Sequence, residues 1–474
     1  MRRLAPKRTE KVSKNPWAIA CIIVEVSCLL RVLVDNRSLF EHRLGSEAMN
    51  VADSFAYTGS FADAYFPGQG PTAHLTPIMP FLAGTLIRLM GNHERATQLL
   101  LLAFSLSQVA AAYLIGFAIC KRRFGTATAI LGLLVLAIPV FPMAETTLFR
   151  YWDGAAAAIL AGLLFLIVDA DRPLTHRRTL SAGLLLGVLI FLNQIIGLGV
   201  VAAVTVALIR RQFRSLFLLA CVTTVTVAAF VGPWAFRNER ELGRAIPFRS
   251  NLNLELSMGF YQGAIKPTDP RREFAARIAD VHPLMSRTSQ MRIRQIGEVR
   301  FFDELGQTTR AWIADHPGEA LRLALRHWVS FFAPGLWSFD RDDYRSIQRL
   351  GSIVLPAIML LGLLSTILNA GRFRLARMTL TFTMCCSILY VISQPVPRYS
   401  YPVYVQLAFW AVVLIMSLLR RWKREHLLPR RGSYRDRKLP RSGTTSHYQR
   451  PEAALPQPTN PGHSQNIVIR PAPR

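Results

Sequence analysis

The chain has 474 residues, 51% of them hydrophobic and 18% charged, with a mean hydropathy of +0.26, which is too apolar for a string of ordinary water-soluble domains. Its formal net charge of +27 falls in short Lys/Arg clusters between long apolar runs and in one tail, not along an amphipathic face, which argues against a nucleic-acid partner and for basic loops on one side of a membrane. Cys21, Cys28, Cys120, Cys221, Cys385 and Cys386 all lie inside apolar runs, without zinc-site spacing or disulfide density, and read as small hydrophobes.

A basic stretch, 1–15, precedes the apolar run 16–34. That run is too long for a signal-peptide core and lacks a small-residue cleavage site, so it reads as a first span with a cytoplasmic start. Further apolar runs lie near 97–120, 126–143, 154–170, 180–192, 195–209, 215–236, 351–370, 376–393 and 402–419. At roughly 20 residues per crossing they predict about ten spans, with the division at Asn193-Gln194 the softest. Threading them places Lys121 to Arg123, Arg177-Arg178, Arg210-Arg211 and the clusters at 372–377 and 420–424 on one side. Both termini are then cytoplasmic, and the long segments 35–95 and 237–348 lie outside.

In the first external loop, 35–95, the apolar run from Leu75 to Met90 is short and interrupted by Pro77 and Pro80, which suits a helix at the membrane surface. The segment 16–236 is thus a membrane core carrying that loop, and 237–348 is an external segment. Within the latter, between Trp312 and Trp337, Leu321, Leu325, Trp328, Val329 and Phe332 recur at helical spacing against Arg322 and Arg326, the pattern of an interfacial amphipathic helix. The spans at 349–419 follow, and then a basic tail, 420–474, whose Arg, Pro, Ser and Gly content predicts disorder. There is no internal repeat and no GxGxxG, Walker A, HExxH or GxSxG pattern.

Polar chemistry must come from the external segments. Glu47, Asp53 and Asp63 share the first loop, although acids there also suit turn and helix capping. His74 follows in GPTAHL, and Glu145 and Asp153 flank the third and fourth spans at the same face. Arg237 in PWAFRN runs against the positive-inside bias, and Arg249 and Arg398 stand near later external ends. Glu25 and Arg31 lie in the first span, where ionisable groups are costly and usually face the protein interior; a spacing of six does not put them on one face.

In order along the chain, GSEAMNVADSFAYTGSFADAYFPGQGPTAHLTPIMPFLAG, ETTLFRYWDGAAAA, PWAFRN, ELGRAIPFRSNLNLELSMG, IGEVRFF, ADHPGEALRLALRHW and PVPRYSYP resemble the GT-C membrane glycosyltransferases. The likeness is to the branch of protein O-mannosyltransferases and lipid A aminoarabinose transferases. It departs in carrying Glu47 where many relatives have Asp, and TPIMP where an aromatic Pro-Tyr-Pro type of sequence is common. The resemblance implies an all-α polytopic bundle of about ten transmembrane helices with external juxtamembrane helices. It also implies transfer of a sugar from a polyprenyl-phosphate donor to an acceptor hydroxyl on a glycan, lipid or protein, at the external face of a bacterial inner membrane. Inverting displacement needs a carboxylate base, Glu47 or else Asp53, and fixed cations for the departing phosphate, drawn from Arg398, Arg237, Arg249 and His74. Asp63, Glu145 and Asp153 are then the candidates for the acceptor pocket. No cofactor is predicted; a divalent metal stays open, because no ligand cluster rises above scattered acids. A transporter or lipid flippase, and a noncatalytic scaffold of the same fold, are the rival readings.

Overall fold

The computed structural model describes residues 15–34, 47–91, 94–137, 153–169, 173–210, 212–335, 345–393 and 396–426. Among them are seventeen α-helices and no strand beyond one isolated bridge between Ala62 and Pro71. The chain divides into two units, 1–422 and 423–474. The described part of the second is the end of one helix, and everything below concerns the first.

Each of the ten apolar runs is helical where it is described. They form α1 (Pro16–Val34), α4 (Glu94–Phe124), α5 (Thr126–Ala137), α6 (Asp153–Val168), α7 (His176–Leu192), α8 (Gln194–Leu208), α9 (Phe213–Leu242), α15 (Arg345–Asn369), α16 (Arg374–Leu389) and α17 (Tyr401–His426). Among the described residues five helices, Arg95–Phe124, Phe213–Leu242, Ser352–Asn369, Arg374–Ile392 and Pro397–Lys423, are long and apolar enough to cross a membrane. Remaining helices are α2 (Glu47–Thr58), α3 (Ile78–Met90), α10 (Leu252–Gly259), α11 (Pro270–Val281), α12 (Arg287–Ile296), α13 (Glu298–Asp315) and α14 (Pro317–Phe332). Glu25, for which the interior was the expected side, lies on the exposed face of α1.

Small residues let these helices approach closely, as membrane helices require when lipid offers no hydrophobic drive between them. The Phe409 ring of α17 sits against Gly116 of α4 and Gly132 of α5, where an added Cβ would come within 2.4 and 2.3 Å of it. At Asn193 the chain makes one extended residue between two helices. Its N–H closes α7 onto Leu189 while its Oδ1 accepts from Ile196 N–H and starts α8. At the far end of α6 from Asp153, Asp169 accepts from Arg123 at 2.5 Å and lies 3.8 Å from Arg374. Two of the basic clusters threaded to one side therefore meet at one end of the bundle.

At 13 residues α3 is about 20 Å long, short of a roughly 30 Å hydrocarbon layer. It packs on α2 through Gly84, against Ala52 O and Phe55. The amphipathic helix begins at Pro317, not near Trp312, because His316 and Pro317 separate α13 from α14. Leu321, Leu325, Trp328 and Val329 are outward as expected, but Phe332 turns inward with Ala320, Leu323 and Phe331. A second core of Val51, Tyr65, Phe66, Leu254, Val281, Phe301 and Phe302 joins the loop after α2 to α10–α13, so the first loop and the segment from Arg244 onward form one layer.

Candidate functional site

A cavity of about 160 Å³ lies where this layer meets the bundle. Glu47 enters it from the first residue of α2, where the helix N-terminus favours a negative charge. Its Oε1 is 3.2 Å from His282 Nε2. Burial opposes ionisation, but hydrogen bonds from His282 and from the Glu47 backbone N–H, with the field of either imidazole whenever it is protonated, outweigh it and hold the carboxyl at about 2. His74, buried with its Nδ1 2.6 Å from Tyr65 Oη, is pushed by burial to about 4 against the pull of Glu47. It is therefore neutral at neutral pH, which leaves the hydrogen bonds from His282 and from the Glu47 backbone N–H to support the Glu47 charge.

Asp153, at the N-terminus of α6, accepts from Arg249 at 2.5 Å and from Asn193 Nδ2 at 3.3 Å. Arg249 also donates to Leu192 O at 3.0 Å, one of the carbonyls left open where α7 ends. Across the cavity, Arg398 rises from the 3₁₀ turn Pro397–Ser400 and lies over the Tyr399 ring. Tyr399 donates to Glu255 Oε2 at 3.4 Å, and burial lifts the Glu255 carboxyl above its usual range against the pull of Arg398.

Five of the residues singled out in the sequence, Glu47, His74, Asp153, Arg249 and Arg398, thus share one cavity. Three others do not line it. Asp63 takes a left-handed backbone (φ 59) and its Oδ1 caps Gly70 N–H at 2.8 Å, shaping the loop. Arg237, a candidate for the donor phosphate, instead donates to Phe61 O at 2.6 Å and Thr72 O at 2.7 Å, so backbone carbonyls occupy its guanidinium. Asp53 is half-buried on α2 and does not line the cavity. Glu145 lies outside the described residues.

Glu255, His282 and Glu298 escaped the sequence reading. Glu255 carries a legible signal, an acid among leucines in NLNLEL, whereas His282 is a lone histidine before proline. The buried Glu298 accepts from Gln69 Nε2, Thr72 Oγ1, Ala73 N–H and Ser250 Oγ at 2.5 to 3.2 Å. Those donors adjoin His74 and Arg249, so one carboxyl sets the backbone beneath both. Among the described residues no three His, Cys, Asp or Glu side chains converge on a metal position. Glu47 is engaged by His282 and Asp153 by Arg249, an arrangement that does not present a ready ligand set.

The architecture is similar to that of the Archaeoglobus fulgidus oligosaccharyltransferase solved with Zn and sulfate, at TM-score 0.50 and 16% identity, over 85% of this chain and 49% of that one. Archaeal AglB from the same organism, with an inhibitory peptide and a dolichol-phosphate, aligns at 0.48 and 15% over 88% and 53%. ArnT from Cupriavidus metallidurans bound to undecaprenyl phosphate aligns at 0.37 and 14% over 88% and 82%. This chain spans about half the length of the oligosaccharyltransferase. No family model and no curated protein matches the sequence. The chain shares with that oligosaccharyltransferase its fold, a polytopic helical bundle.

Proposed function

We propose that the chain transfers a sugar from a polyprenyl-phosphate donor to an acceptor hydroxyl, with inversion, at the external face of a bacterial inner membrane. The observation that carries this reading is one cavity, at the junction of bundle and layer, holding an ionised carboxylate together with two arginines and a neutral imidazole. The shared fold with an oligosaccharyltransferase supports the reaction class. In the proposed step an acceptor oxygen lone pair forms the new bond to the anomeric carbon. The bond from that carbon to the phosphate oxygen breaks and leaves its electron pair on the lipid phosphate, while the acceptor proton passes to Glu47.

The Glu47 carboxyl, held below its usual range by hydrogen bonding, is ionised but a weak base. Glu47 therefore takes the proton late, once bonding to the sugar has made the acceptor oxygen acidic. Charge growing on the phosphate is met by Arg398 and by the neutral His74, while Arg249 is shared with Asp153. The test is transfer of radiolabelled sugar from polyprenyl-phosphate donors by the purified protein, compared with Glu47→Gln. A loss of about 10²- to 10⁴-fold is expected for the variant. Undiminished transfer removes Glu47 from the role, and no transfer by the wild type from any such donor defeats the reading.

A further inference from the structure

We infer that His282 is the positioning residue for Glu47, donating from a fixed Nε2–H tautomer to its carboxylate Oε1. This rests on the transferase reading given above, but its geometry stands on the turn that carries the ring.

His282 ends α11: its own N–H closes on Ile278 O at 2.9 Å, and Pro283 prevents the helix from continuing. The chain then turns back, with Met285 N–H and Ser286 N–H both donating to His282 O at 2.9 Å. Val281, buried in the second core, anchors the turn. Inside the turn Leu284 N–H lies 3.3 Å from His282 Nδ1. A backbone amide can only donate, so Nδ1 must offer its lone pair. In a neutral imidazole the proton then sits on Nε2. That is the nitrogen 3.2 Å from Glu47 Oε1, and the ring's tilt is further set by the edge of Tyr65, 5.9 Å away. The main chain thus chooses the tautomer, and the tautomer supplies the carboxylate with a donor rather than a competing lone pair.

A helix-capping histidine with an incidental neighbour is the competing explanation, and two amide substitutions separate them. His282→Asn keeps an oxygen near the Nδ1 position to accept from Leu284 N–H but has no donor reaching Glu47. His282→Gln carries its amide out to the Nε2 position. We expect His282→Asn in the full-length purified protein to lose about 10²-fold in kcat with KM for the polyprenyl-phosphate donor unchanged, the scale of a misplaced catalytic group. His282→Gln should recover about tenfold of that loss. Equal activity of the two variants, or a loss confined to KM, overturns the proposal.

A second measurement does not depend on turnover. ¹⁵N NMR of the histidine-labelled protein should show His282 as the Nε2–H tautomer, with a shift that moves in Glu47→Gln. An Nδ1–H tautomer, or indifference to Glu47→Gln, refutes the pairing even if transfer is normal. If the wild type transfers nothing while the tautomer and its coupling to Glu47 are seen, it is the transferase reading that fails, and the catalytic role of His282 falls with it.

Discussion

His74 illustrates how burial can set a charge state even beside a carboxylate. Its ordinary value of 6.5 falls to about 4 in the folded chain. Between those values the unfolded chain binds a proton that the folded chain does not, so stability drops as pH falls through this window, by up to roughly 3 kcal/mol. Glu47 acts in the same sense lower down: its contribution is present above 4.5 and is lost as pH falls toward about 2. Thermal unfolding in detergent should therefore show a smaller drop between pH 7 and pH 5 for His74→Gln than for the wild type. Equal drops would rule the buried neutral imidazole out. The two arginines answer differently. Arg398→Gln should cut kcat by about 10²- to 10³-fold, because its expected partner is the departing phosphate, while the loss of its contacts with Tyr399 and Glu255 lowers the melting temperature only slightly. Arg237→Gln should instead lower stability by about 1–3 kcal/mol, because Thr72 O loses the guanidinium donor and Phe61 O keeps only Thr72 N–H. If both variants lose transfer at unchanged stability, Arg237 belongs with the phosphate-binding groups after all.

Elements show where pattern and packing part company. Hydropathy finds a helix at each apolar run, and among the described residues five of these helices are long and apolar enough to cross a membrane, because a helix in lipid is marked by length and composition, whatever its amphipathic period. The division at Asn193, the softest in the sequence, is made by one residue, since Asn is a strong N-cap and here both closes α7 and opens α8. Its removal in Asn193→Ala should lower stability by about 1 kcal/mol and loosen Asp153, which would be read as a lower melting temperature together with weaker transfer. A variant that melts with the wild type would mean that the hairpin is held by Gly197 packing on Ile190 alone. In α14 the sequence misleads for a physical reason. Apolar residues cover two faces of this helix, one outward with Leu321, Leu325 and Val329 and one inward with Ala320, Leu323 and Phe331. The 3.6-residue period then cannot assign Phe332 to either without knowing what packs beneath.

At the scale of the molecule the site draws on α2, the loop after it, α6, the Arg249 to Glu255 stretch, the α11 turn and the Arg398 turn. A single sequence can weigh each group by type and by expected side of the membrane, which is how Glu47, Asp153 and Arg398 were reached. It cannot show that His282 meets Glu47 or that Glu298 meets Thr72, because those pairings are fixed by the second core and not by any local spacing. Glu298 gives the sharpest test of that long-range assembly. Four donors converge on its two oxygens, and Glu298→Gln turns one oxygen into an NH₂ that must face one of those donors. The main core of the bundle includes none of these groups, so helical content should persist. The loop carrying His74 and the strand of chain carrying Arg249 should shift together, and a displacement near 1 Å costs about 10²-fold in rate. Transfer should therefore fall by about that factor, with faster proteolysis within 59–76 and an unchanged far-ultraviolet spectrum. Wild-type transfer by Glu298→Gln would show that the cavity holds its own geometry and that the layer merely rests upon it.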